Sequence, residues 1–164
     1  MYKEMKQLDN RTCYLPLKVD KITTEEKVKA QDAIVLLTEK RDGTIKARSV
    51  YNGKDTRDWI LGEDSASPTV SQERIIIMAV INVKERRDII MVDVLNAFIQ
   101  TLLPKKYRRA GDWIIVKFKG KIVNFLIKIN PGRHNKYVIY KNGKKVIYVK
   151  IIRAIYGIII ASFL

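Results

Sequence analysis

Histidine and cysteine are nearly absent from this chain of 164 residues, and each absence removes a class of chemistry. With His134 the only histidine and Cys13 the only cysteine, neither a Cys/His zinc cluster nor an intrachain disulfide can form, and a reducing, intracellular setting is expected. Acidic residues are also few, with 17 Asp and Glu against 32 Lys and Arg. No two aspartates are adjacent, and no acid follows Asp112. The opening Met-Tyr-Lys-Glu-Met-Lys-Gln lacks the apolar core of a secretory signal, so the chain is not expected to be secreted. The apolar stretch Ile151 to Leu164 is interrupted by Arg153 and is shorter than the roughly 20 residues that cross a bilayer, so no membrane partner is expected. Its Ile158-Ile159-Ile160 run reads as a core element with packing partners further along a longer chain.

What is present in excess is positive charge. The net charge of +15 and the pI near 9.9 favour a polyanionic partner. Beyond Asp112 the charge is all basic, and the candidate nucleic-acid contacts are Lys117, Lys119, Lys141, Lys144, Lys145, Lys150 and Arg153. The alternative is a solvated face that opposes self-association.

Residues 1–32 are polar and mixed, with a short helix expected from Thr24 to Gln31, and residues 33–164 form the principal unit. Ala33 to Glu39 and Thr44 to Tyr51 flank Arg41-Asp42-Gly43 and predict a hairpin, with Lys46 and Arg48 on one face of its second strand. Thr69 and Gln72 have capping-box spacing ahead of a core helix ending near Asn82. A strand is predicted from Asp88 to Val94, then a short helix from Leu95 to Leu103. Trp113 to Phe118 with Lys121 to Ile127 reads as a second hairpin. Lys136 to Tyr140 and Lys145 to Val149, joined by Asn142-Gly143, predict a third, and a helix or strand-to-helix segment begins near Lys150. Hairpins mixed with helices indicate the α+β class, with antiparallel hairpins packed against a few helices.

The segment most informative for chemistry is Met91-Val92-Asp93-Val94-Leu95-Asn96-Ala97-Phe98-Ile99-Gln100, which sets one carboxylate in an apolar strand and an aromatic ring five residues later. Taken by itself, Asp93 reads as a strand-end residue capping the next helix. Val-Asp-Val-x-x-Ala-Phe, however, resembles the first acidic motif of copia-type retrotransposon reverse transcriptases. Two further segments are similar to that family in the family's order. Gly43-Thr44-Ile45-Lys46-Ala47-Arg48-Ser49-Val50, followed by Ser67-Pro68, resembles its Lys-Ala-Arg-Leu-Val strand and Ser-Pro-Val element, and Lys150-Ile151-Ile152-Arg153-Ala154-Ile155-Tyr156-Gly157 resembles its Ala-Leu-Tyr-Gly segment.

The resemblance implies polymerase-like fingers and a partial palm over residues 33–164. It implies that Asp93 is a catalytic, metal-binding carboxylate and that the Val94 carbonyl shares its Mg²⁺ or Mn²⁺. Lys46 and Arg48 would reach the triphosphate of a deoxynucleotide, and Ala97 and Phe98 would line the nucleotide site, with the Phe98 ring under the sugar where it leaves no room for a 2′-hydroxyl. The partners implied are an RNA or DNA primer-template, deoxynucleoside triphosphates and the remainder of a polyprotein, in an intracellular retroelement particle.

The departures from the family are specific. Ile159 and Ile160 stand where the family has Lys and Gln, and no Tyr-Met-x-Gln-Pro pattern lies between Leu103 and Lys150. The second acidic motif, an Asp pair, is absent, so two-metal phosphoryl transfer is not expected of this chain alone. The competing reading is a non-enzymatic nucleic-acid-binding module, in which Tyr137, Tyr140 and Tyr148 interleave with lysines as a stacking surface.

Overall fold

The structure, a computed structural model, describes residues 1–52, 70–92, 94, 97–105, 113–158 and 161. The described chain is mixed α+β, built on a curled six-stranded sheet whose long central strand, Lys144–Ile151, is β6. Short strands Tyr14–Pro16 (β1) and Ile139–Lys141 (β5) share one edge of β6, and Ile115–Lys119 (β4) lies antiparallel along the other. The next strand, Gln31–Glu39 (β2), joins β4 in parallel through Gln31 and Asp32 only. From Ala33 onward β2 pairs instead with Ile45–Tyr51 (β3), forming a hairpin that extends beyond the rest of the sheet.

Both faces of β6 are buried, because its alternate residues enter different apolar clusters. Ile147, Val149 and Ile151 join Val116 and Phe118 of β4 beneath two helices, Tyr2–Asn10 (α1) and Lys121–Ile129 (α5). Met5 and Leu8 of α1 and Val123 and Leu126 of α5 fill that side. Val146 and Tyr148 face the other way, onto Ile115, Leu17, Ile22 and Ala30. Residues within 1–32 therefore supply an edge strand and part of the core, with helix α2 (Thr24–Lys29) closed by a capping box between Thr23 and Glu26.

The β2–β3 and β5–β6 hairpins form at the predicted turns, although Lys136 and Tyr137, expected in the first strand of the latter, lie in a 3-10 helix and that strand is only Ile139–Lys141. In the first, Asp42 Oδ1 accepts the Thr44 backbone N–H at 3.0 Å and Gly43 adopts φ +74°. In the second, Asn142 and Gly143 have φ of +51° and +71°, the left-handed pair that a tight two-residue hairpin requires.

Four expectations require correction. Lys121 to Ile127 is not a second hairpin strand but the start of α5: β4 already has β6 and β2 on its two edges, leaving no pairing for a returning strand, and the apolar residues of α5 gather on one helical side. Asp88 to Val92 forms no strand, and Ile90 and Met91 are 84% and 94% exposed. Helix α3 (Gln72–Lys84) is not a core helix, since it buries no residue and leaves Ile75, Ile76 and Met78 more than half exposed; its observed cap is Ser71, and Thr69 lies outside the described residues. Of the helix expected from Leu95 to Leu103, the described residues form only the single turn Ala97–Gln100 (α4). Pro131–His134 (α6) is a further short helix, and among the described residues no helix is long and apolar enough to cross a membrane.

Candidate nucleotide and phosphate sites

Two groups of side chains have geometry suited to anionic ligands. The first centres on Tyr156. The Tyr156 carbonyl accepts the Tyr51 backbone N–H at 2.8 Å, which fixes residue 156 beside the base of the projecting hairpin. Gly157 permits this approach: its φ is +87°, and an added Cβ would overlap the Tyr51 carbonyl oxygen. Arg48, on the outward face of β3, places its guanidinium carbon 5.8 Å from the Tyr156 ring centroid. The half-buried Phe98 of α4 meets the same ring edge-to-face at 5.4 Å and 78°.

The α4 segment is held against the 152–156 segment by backbone bonds, Leu103 N–H to the Ile152 carbonyl and Ala154 N–H to the Thr101 carbonyl, both 2.9 Å. Arg153 reinforces the junction by donating to the carbonyls of Arg11 at 3.0 Å and Gln100 at 2.7 Å. Its guanidinium is thus engaged with backbone, at the floor of a separate hollow beside Asn10 and Thr12.

Of the other candidates near this cluster, Lys46 stands exposed two residues nearer the hairpin turn, on the face that carries Arg48. Ala97 begins α4, exposed, and its N–H donates to the Val94 carbonyl at 3.3 Å. Asp93 lies outside the described residues, as do Ser67, Pro68, Ile159 and Ile160. Among the described residues no three His, Cys, Asp or Glu side chains gather as metal ligands, and the Val94 carbonyl already accepts a hydrogen bond.

The second group lies on the face of the sheet that carries Val146 and Tyr148, opposite the one into which Tyr51 is packed. Lys117 and Lys119 of β4, Lys144 of β6 and Lys141 of β5 surround a concavity of about 320 Å³, with Asn142 at its rim and Val146 and Tyr148 also lining it. Asp32 enters from β2, with its carboxylate 2.7 Å from Lys119 and 3.5 Å from Lys117. Burial alone raises the Asp32 carboxyl; the hydrogen bond and charge of Lys119, with the charge of Lys117, outweigh it and hold the group below the ordinary aspartate value.

Besides Arg153, two of the predicted cations are elsewhere. Lys145 falls on the other face of β6, opposite Tyr140, and Lys150 lies 4.3 Å over the Trp113 ring. The tyrosines expected to stack do not gather at the lysines: Tyr148 is 2% exposed, Tyr137 packs against the core, and Tyr140 is exposed but adjacent in sequence to Lys141 and so on the other side of β5. Sequence reasoning passed over Asp32, whose role depends on β2 meeting β4, and gave Tyr156 no site role although it stands inside a quoted motif.

Comparison with protein-family models, curated proteins and solved structures finds no match for this chain.

Proposed function

We propose that this chain is a copia-type reverse-transcriptase-like unit of fingers and partial palm that engages a deoxynucleoside triphosphate at the Arg48, Phe98 and Tyr156 cluster. The single observation that supports this reading is the convergence on one tyrosine ring of three segments about fifty residues apart in sequence, each of which resembles a family motif. The projecting β2–β3 hairpin, carrying Lys46 and Arg48 on one face, supports a fingers role for it. Arg48 would take the phosphates through its forked donors, and Phe98 would pack against the sugar. Mg²⁺ or Mn²⁺ would be held with the help of Asp93. The missing second acidic pair leaves this chain without primer extension of its own.

The test is titration of labelled deoxynucleotide with and without Mg²⁺, for the native chain and for Arg48→Ala, Phe98→Ala and Asp93→Asn. Loss of the guanidinium is expected to weaken binding by about 1.5–3 kcal/mol, the range for a hydrogen bond to a charged group. Phe98→Ala is expected to narrow the preference for deoxynucleotide over ribonucleotide, and Asp93→Asn to remove the Mg²⁺ dependence. Nucleotide binding that ignores Mg²⁺ and all three substitutions sinks the proposal. That outcome favours the second reading, a plain basic nucleic-acid surface, for which the gathering of four lysines around one concavity is the supporting observation.

A further inference from the structure

The lysine concavity is independent of the Tyr156 cluster, and its composition is more specific than that of a solvated basic face. Lys141 and Lys144 are directly opposed across the Asn142-Gly143 turn, and among the described residues neither has an acidic partner. Like charges directly opposed on paired strands repel, so this end of the hairpin holds unfavourable energy that a bound anion would relieve. One strand further on, Lys117 and Lys119 sit on the same face of β4, and both lean on the single carboxylate of Asp32. Four ammonium groups against one carboxylate leave three positive charges around a hollow whose lining includes the apolar Val146 and the buried Tyr148. Low-dielectric walls strengthen the attraction of such a site for anions.

We propose that this concavity is a binding site for a compact anion with two or more adjacent phosphate groups, recognised through the phosphates and not through a base. The charge balance decides the number. A phosphate monoester carries about −1.5 to −2, so one phosphate leaves the excess of three partly uncompensated while two neighbouring phosphates match it. Lys144 lies on β6 two residues from Val146, the partner of Lys119, so the nearest members of the two pairs are diagonal neighbours on adjacent strands, roughly 7–8 Å apart, and adjacent phosphates engage both pairs through the long lysine side chains. Tyr148 is too buried to offer a ring face, which removes the means of selecting a base. Asp32 acts as an internal counter-ion that an incoming phosphate displaces from Lys117 and Lys119.

The experiment is calorimetric titration of the full chain with tripolyphosphate, pyrophosphate and orthophosphate at low salt, then with dATP, dTTP and a single-stranded oligonucleotide. Tripolyphosphate is expected to bind one to one, at least ten-fold tighter than orthophosphate, with dATP and dTTP alike. The double variant Lys141→Gln, Lys144→Gln is expected to lose at least ten-fold in tripolyphosphate affinity at a Tm no lower than that of the native chain. Asp32→Asn is expected to bind several-fold tighter, and Lys145→Gln, on the other face of β6, to bind as the native chain does, which separates this hollow from charge spread over the surface. Tripolyphosphate binding that exceeds one equivalent and ignores the lysine substitutions would mean diffuse condensation on a basic protein and overturns the proposal. Binding of the oligonucleotide without saturable binding of tripolyphosphate also overturns it, in favour of an extended nucleic-acid surface.

Discussion

Asp9 and His134 form the one contact between a buried carboxylate and a buried imidazole in the described chain, 3% and 0% exposed, with His134 Nε2 at 2.8 Å from Asp9 Oδ1. Arg133 joins them, donating to Asp9 Oδ1 at 3.3 Å and to the Tyr14 carbonyl at 3.0 Å. Burial pushes the His134 pKa below the ordinary histidine value; the Asp9 hydrogen bond and charge oppose that shift, and the Arg133 charge adds to it. The folded chain therefore binds a proton at His134 less readily than the unfolded chain, whose histidine titrates at about 6.5. Between that value and the lower folded value the unfolded state holds more protons, so stability falls as pH drops below about 6.5 and is fully retained above it. Urea unfolding at pH 5.5 and 7.5 is expected to show a lower midpoint at the acid end, with that difference reduced in His134→Gln. Asp9→Asn takes the carboxylate from a half-buried guanidinium and from the buried His134 ring and is expected to cost about 1–3 kcal/mol at pH 7.5, the range for a buried group left without its hydrogen-bond partner. From sequence, His134 was legible only as a residue unable to complete a zinc site. Its actual partner is 125 positions away, a separation no local pattern records.

Elements were legible where pairing is local. The turn residues Asp42-Gly43 and Asn142-Gly143 specify their hairpins through backbone conformations that few other residues adopt, and both hairpins were predicted. Lys121–Ile129 was misread because Ile, Val and Phe favour strands in isolation, whereas the sheet order leaves β4 no free edge and the same residues bury one side as a helix. The converse holds for α3, whose helical pattern was recognised but whose apolar residues find no cover in the described chain. These two helices are therefore expected to respond differently to truncation. Leu126, fully buried, should lose about 2–5 kcal/mol as Leu126→Ala, while Ile76, 63% exposed, should change stability by less than about 0.5 kcal/mol as Ile76→Ser. Denaturant midpoints of the two variants check this, and equal losses would mean that α3 is buried in solution.

At the scale of the whole molecule, the sequence supplied the charge and the topology decided where it concentrates. Seven basic residues were singled out as nucleic-acid contacts, but only four of them meet, because β4 lies beside β6 and the β5–β6 turn brings Lys141 and Lys144 to the same face; Lys145, Lys150 and Arg153 are drawn off by strand alternation, by Trp113 and by backbone carbonyls. A net charge of +15 would by itself give weak binding to any polyanion, so affinity alone does not distinguish a focused site from a diffuse one. Salt dependence does. For single-stranded nucleic acid the slope of log K against log salt is about −0.7 per phosphate neutralised, so four lysines acting together predict a slope near −3. Removing two of them in Lys141→Gln, Lys144→Gln should flatten it by about 1.4 if the concavity gathers the phosphates. Fluorescence anisotropy of a labelled oligonucleotide across a salt series reads the slope directly. A slope left unchanged by the double variant would mean that the positive charge acts as a field over the whole surface and not as a site on one face of the sheet.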